Sequence, residues 1–166
     1  MLELDAWLEI AKSAALKGGK YLLENQGREL KILLNEGRDI KLQLDTDTEK
    51  LIKDSLGSQS EFSILGEETG LSNDLGEFYW VVDPLDGTSN FLRDIPISCV
   101  SIALMQNLTP ILGVIYDFNH DDLYFGHLES KAFLNQVEIA VSNYSEKSQS
   151  TLVTGIPAKT YYSDSE

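Results

Sequence analysis

At 166 residues the chain is long enough for one ordinary domain, and its 42% apolar and 24% charged residues exclude wholesale disorder. Twenty-seven acidic against 13 basic residues leave a formal charge of −14, which repels nucleic acid and anionic membrane surfaces; binding of a phosphate ester then requires cations that reverse the local field. The lone Cys99 precludes an internal disulfide, the acidic start Met1-Leu2-Glu3-Leu4-Asp5 is unlike a signal peptide, and no apolar run approaches the roughly 18 residues of a membrane span, so the expected location is cytoplasmic.

Leu4, Leu8, Ala11, Ala15 and Leu22, with Trp7 and Ala14 beside them, recur at spacings near three and four and predict an amphipathic helix. Gly18 and Gly19 interrupt it, marking either close packing against a neighbour or a bend. Residues 28–41 are polar and irregular, with Asn35-Glu36-Gly37 as a turn signal, and lead into the short alternating segment Leu42-Gln43-Leu44. A second helix follows, with Thr46 and Glu49 at capping-box spacing and Leu51, Ile52, Ser55 and Leu56 as its apolar face. From Phe62 the pattern changes to short branched and aromatic runs. Strands are predicted over 62–65, 78–82, 98–105, 110–116 and 123–125, with 137–141 and 151–154 as further candidates. Helices first and strands later make an α+β fold, and no linker or repeat divides residues 1–166 into more than one domain.

Two acid-bearing segments carry the chemistry. In Trp80-Val81-Val82-Asp83-Pro84-Leu85-Asp86-Gly87-Thr88 an apolar strand delivers Asp83 to a rigid proline turn, and Asp86 follows three residues later. Such a turn brings two carboxylates and the Leu85 carbonyl to one point, a hard oxygen set suited to Mg2+ or Mn2+. Gly87 and Thr88 then supply backbone N–H groups able to hold phosphate oxygens where the chain enters a helix. Asp-Gly or Asp-Pro alone would be a plain turn. In Ile64-Leu65-Gly66-Glu67-Glu68-Thr69-Gly70 a second strand ends in paired acids; neighbouring side chains on a strand face opposite ways, so one of Glu67 and Glu68 reaches a metal unless the strand has already ended. A solvated acidic turn is the competing reading. Asp47, at the start of the second helix, has a sufficient role as a cap, and Asp39 and Lys41 read as surface charge. His120 and His127 have no partner at metal-ligand spacing and read as loop residues, and Asp121-Asp122 as a hairpin tip.

These elements in this order, an Asp before a helix, Gly-Glu-Glu after a strand, then Asp-Pro-Leu-Asp-Gly-Thr, resemble the inositol monophosphatase family of the Mg2+-dependent, lithium-sensitive phosphatase superfamily. The likeness runs on through Ser89-Asn90-Phe91, Ile95-Pro96, residues 100–104, 113–117, 132–135 and 139–142. It implies a layered fold with amino-terminal helices on a largely antiparallel sheet. It also implies that Glu67, Asp83 and the Leu85 carbonyl bind a first metal and that Asp83 and Asp86 share a second. Glu67 and Thr88 would orient the attacking water, Asp47 would hold the Thr88 hydroxyl, Asp86, Gly87 and Thr88 would bind the substrate phosphate, and Glu68 would support the site. The implied reaction is in-line attack by a metal-activated water on a small phosphorylated metabolite such as inositol 1-phosphate, with no phosphoenzyme.

Three departures qualify the resemblance. Leu44 replaces a Thr three residues before Asp47, and Ser130-Lys131-Ala132 replaces Gly-x-Gly-Ala. A later Trp-Asp-x-Ala-Ala-Gly element is absent, since the only tryptophans, Trp7 and Trp80, are not followed by Asp. The expectation is an amino-terminal, truncated family member with an incomplete second metal site and a sheet edge or apolar face left for a homodimer or another chain. The alternatives are a 3'(2'),5'-bisphosphate nucleotidase, which Ser89-Asn90-Phe91 disfavours, and an inactive remnant acting as a binding protein.

Overall fold

A computed structural model of the chain describes residues 3–36, 39–72, 74–143, 145–146, 148 and 151. Helix α1 (Leu4–Asn25) is continuous and buries Leu4, Leu8, Ala11, Ala14, Ala15, Gly18, Gly19 and Leu22. The two glycines mark close packing rather than a bend. A Cβ on Gly18 would stand 2.8 Å from Ile52 Cδ1, and one on Gly19 would overlap the Tyr116 ring.

The polar stretch after α1 is a hairpin that its composition did not announce: β1 (Ile32–Glu36) pairs antiparallel with β2 (Asp39–Leu42). Of the expected extended segment 42–44 only Leu42 is strand, because helix α2 (Gln43–Gly57) begins three residues ahead of Thr46. The predicted Thr46–Glu49 capping box is therefore wrong. Asp45 provides the cap, its Oδ2 accepting the Leu42 N–H at 2.8 Å, while Glu49 is buried two turns into the helix with other partners.

The remaining elements are β3 (Ser63–Gly66), β4 (Gly70–Leu71), β5 (Phe78–Asp86), the single turn α3 (Thr88–Phe91), β6 (Cys99–Gln106), β7 (Thr109–Asp117), β8 (Asp122–His127), β9 (Ala132–Leu134) and β10 (Val137–Ile139). Among the described residues they form one eight-stranded sheet in the order β10-β9-β8-β7-β6-β5-β3-β4. Every described pairing is antiparallel except β3 with β5. The expected strands are found with ends moved by at most four residues, β4 and β9 are additions, and of the candidate 151–154 all but Thr151, which is not strand, lies outside the described residues.

The helices α1 and α2 cover one face of this sheet, giving the expected α+β arrangement. Trp80, Val82, Val100, Ile102, Leu104, Leu112, Val114 and Tyr116 alternate inward and are buried there. Trp80 is completely covered, with its Nε1 donating to Ser60 Oγ at 2.8 Å. On the opposite face Ile115 and Tyr124 are 46% and 37% exposed. Among the described residues no helix is long and apolar enough to cross a membrane.

Candidate metal and phosphate site

The parallel pair creates the site. In its register Gly66 lies opposite Val82, so both strands leave the sheet at the same end. Glu67 N–H extends the ladder by one bond, to the Val82 carbonyl at 3.1 Å, and alternation then sets Glu67 beside Asp83 on the face away from the helices. Their side chains hydrogen-bond to each other. Burial first, then this bond and the charges of Glu67 and Asp86, push the Asp83 carboxyl up to about 8 from its ordinary 3.8. Two acids set this close occupy a place where a cation would relieve their repulsion.

Glu68 turns the other way, as alternation requires, and forms an ion pair with Lys41 at 3.3 Å. Lys41 is thus part of the site's flank rather than free surface charge. The Asp83–Thr88 turn is held locally: Leu85 N–H donates to Asp83 Oδ1 at 3.1 Å, and the Thr88 hydroxyl donates to the Leu85 carbonyl at 3.1 Å. Gly87 has φ +92°, a left-handed conformation that an L side chain rarely adopts, and a Cβ there would stand 2.6 Å from the Ile97 carbonyl. The turn at 87 therefore requires glycine on two counts.

The expectation for Asp47 fails. Asp47 is exposed and accepts a hydrogen bond from Gln43 Nε2 at 3.0 Å, while the Thr88 hydroxyl it was expected to hold is bonded to Leu85. Asp45 is the carboxylate that α2 delivers inward. It is 1% exposed, its Oδ2 caps Leu42, and its Oδ1 is buried with no hydrogen-bond partner. Burial, and then the charges of Glu68 and Glu67, raise its pKa to about 7. A helix turns by about 100° per residue, so Asp45 and Asp47 lie on nearly opposite sides, and the helix start decides which one faces the site.

The gathering of Glu67, Asp83 and Asp86 is only partial. Among the described residues no group of three or more His, Cys, Asp or Glu side chains closes tightly enough to enclose a metal ion alone. Asp86 is exposed, with Cys99 Sγ 3.9 Å from its Oδ2. Burial, then the charges of Asp86 and Asp83, push the Cys99 thiol up to about 12, so it stays protonated. Open clefts flank the acid pair. One of about 360 Å³ is lined by Leu65, Gly66, Glu67 and Val81 to Asp83, and one of about 440 Å³ by Asp86, Gly87, Asn90, Cys99, Asp117 and His120 among others.

Both histidines lie apart from the acid pair. His120 Nδ1 meets Asp117 Oδ2 at 2.8 Å, and His127, the last residue of β8, meets Asp5 at 3.1 Å. Burial would raise the Asp117 pKa, but the His120 ring and the Asn119 N–H outweigh it and hold that carboxyl below its ordinary value. Of the expected hairpin tip, Asp121 is in the turn with φ 57°, and Asp122 already pairs with Asp117.

The residues present fit a hard divalent cation. An acid pair, a backbone carbonyl in the adjoining turn, and the orphaned buried oxygen of Asp45 are hard oxygen donors, with Lys41, paired with Glu68, the cation that acts on Asp45.

Helices on one face of a largely antiparallel sheet, with acids at the shared end of one parallel strand pair and a glycine turn into a short helix, make up the class of α+β layer to which this chain belongs. The chain belongs to the inositol monophosphatase family, whose pattern matches residues 3–162. It is 34% identical over 162 residues to the fructose-1,6-bisphosphatase/inositol-1-monophosphatase of Aquifex aeolicus, covering 96% of this chain and 61% of that protein. It is 36% identical over 151 residues to the Nus factor SuhB of Xylella fastidiosa, covering 89% and 54%. Among solved structures, the inositol monophosphatase of Anabaena superposes with a TM-score of 0.75 at 35% identity, covering 87% of this chain and 53% of that one. The chain thus spans between about half and three fifths of the length of these relatives.

Proposed function

We propose that this chain carries the metal-binding half of a Mg2+-dependent phosphomonoesterase acting on a small phosphorylated metabolite such as inositol 1-phosphate. The observation that carries the reading is the Glu67–Asp83 pair, two carboxyls forced into one hydrogen bond at the shared end of β3 and β5. Glu67, Asp83 and the Leu85 carbonyl would hold Mg2+, with Mn2+ as substitute, and Asp83 with Asp86 would offer a second position. The ion supplies charge neutralisation and a more acidic water.

The chain's own groups do the rest. The Gly87 and Thr88 N–H groups hold phosphate oxygens, Asp86 borders the substrate cleft, Glu67 and Thr88 orient the attacking water, and Glu68 steadies the Glu67 loop through Lys41. Asp45, not Asp47, is the acid that α2 contributes, because it is buried beside Glu67 and Glu68 with an oxygen to spare. The reading places the protein in the cytoplasm and the open sheet face against a second copy or another chain.

A second reading, a non-catalytic protein that keeps the fold, is favoured by the described residues holding no group of three or more His, Cys, Asp or Glu side chains able to hold a metal ion. The deciding assay is Mg2+-dependent phosphate release from inositol 1-phosphate and from adenosine 3',5'-bisphosphate, with Asp83→Asn as control. Release from the first substrate that the substitution abolishes supports the phosphatase, and preference for the second supports the nucleotidase. A folded chain that releases phosphate from neither supports the non-catalytic protein.

A further inference from the structure

Helix α2 presents Asp45, Glu49 and Lys53 at four-residue intervals, one above the other along a single face. The middle residue is a fully covered carboxylate with every oxygen engaged. Glu49 Oε2 accepts the Glu68 N–H at 2.7 Å; Oε1 accepts the Thr69 N–H at 3.1 Å, the Thr69 hydroxyl, and Lys53 Nζ at 3.1 Å. Lys53 continues across to Thr69 Oγ1 at 2.5 Å and the Gly70 carbonyl at 3.1 Å. The end of β3 rests directly on this carboxylate, since a Cβ at Gly66 would overlap it.

From these contacts we infer that Glu49 is a positioning residue that sets the register of α2 against the Glu67–Thr69 loop and so holds Asp45 and Glu67 at their working separation. The inference rests on the metal-site reading above. Asp45 arrives on a helix and Glu67 on a strand end, and no backbone hydrogen bond described here joins those two elements at this point. Glu49 supplies the connection one helical turn from Asp45 and two residues from Glu67. A glutamine of the same shape would present an NH2 to a site built of donors, so at least one loop amide would lose its acceptor and the loop would shift.

The test titrates the 166-residue chain with Mn2+, read by the loss of the free-ion paramagnetic resonance signal, alongside melting of each protein in EDTA. Wild type, Glu49→Gln, Thr69→Val and Lys53→Met are compared, with Asp83→Asn as reference. The expected result is Mn2+ affinity weakened about tenfold or more in Glu49→Gln. Smaller losses are expected in Thr69→Val and Lys53→Met, all with cooperative melting retained. A Glu49→Gln protein that melts lower yet binds Mn2+ as wild type does would reduce Glu49 to a fold-stabilising residue and overturn the inference. Should Glu49→Gln fail to fold, wild-type affinity in both Thr69→Val and Lys53→Met would overturn it equally. Absence of Mn2+ binding by wild type itself would remove the metal site and this inference together. Failure of the Glu49 role alone is distinguished from that case by a normal difference between wild type and Asp83→Asn.

Discussion

Glu49 and Asp83 are carboxylates of one site with opposite fates. Both are taken out of water, and burial alone would push both upward. Around Glu49 the Thr69 and Glu68 donors and Lys53 outweigh that push and hold the acid below its ordinary range; around Asp83 there is another acid, and it rises to about 8. The loop side of the site is a satisfied scaffold and the turn side is a strained group of donors. Strain of this kind is kept where a ligand relieves it, so under the proposed function the contrast separates the frame from the part that would hold a cation.

The sharpest way to break the contrast is Asp83→Asn. It should lower Mg2+-dependent phosphate release at least about 100-fold, measured under single-turnover conditions. The same substitution should raise the melting point of the metal-free protein at pH 8. An acid whose folded pKa is raised contributes stability that is fully present below about pH 4 and is lost as pH climbs through about 8. Removing its charge restores that contribution, so the gain should be about 3 °C or more at pH 8, the shift that 1 kcal/mol gives a domain of this size, and should vanish near pH 4.

Saturating Mg2+ should act in the same direction on the wild type. At 100 times its dissociation constant an ion stabilises the folded state by about 2.7 kcal/mol. The gain, followed by scanning calorimetry, should shrink steadily from pH 8 to pH 5 as protons reoccupy Asp83 and Asp45. A pH-independent gain would mean that the ion binds elsewhere.

Gly87→Ala should cost about 1–3 kcal/mol in urea unfolding, because the left-handed backbone and the Ile97 carbonyl both oppose a Cβ. It should weaken inorganic phosphate binding as well. The smallest effect belongs to Asp47→Ala, within about 0.5 kcal/mol of wild type as for other exposed positions and with Mn2+ affinity unchanged. Asp45→Asn should alter both the pH profile of stability and Mn2+ affinity.

The sheet was legible because strands such as 78–86 and 99–106 carry enough branched and aromatic residues to announce themselves. The first hairpin was not, since Ile32 and Leu33 are exposed and the segment buries little until Ile40 and Leu42. The acids at 67, 83 and 86 were legible as a motif. Their unequal roles were not, because they depend on the β3–β5 register and on which way each side chain turns. The Asp45 and Asp47 reversal has the same root. Two aspartates separated by one threonine look alike in a sequence, and only the start of α2, fixed by Asp45 itself capping Leu42, decides which is buried.

Because β3 and β5 run side by side in the same direction, the site has no tolerance for a frame error. Deleting one residue from 63–66 would slide the strand by a step of about 3.3 Å and rotate position 67 to the helix side of the sheet. Glu67 would then exchange places with its neighbour Glu68, and the chain would keep its other strand pairings while losing the meeting of two acids on which the proposed chemistry depends.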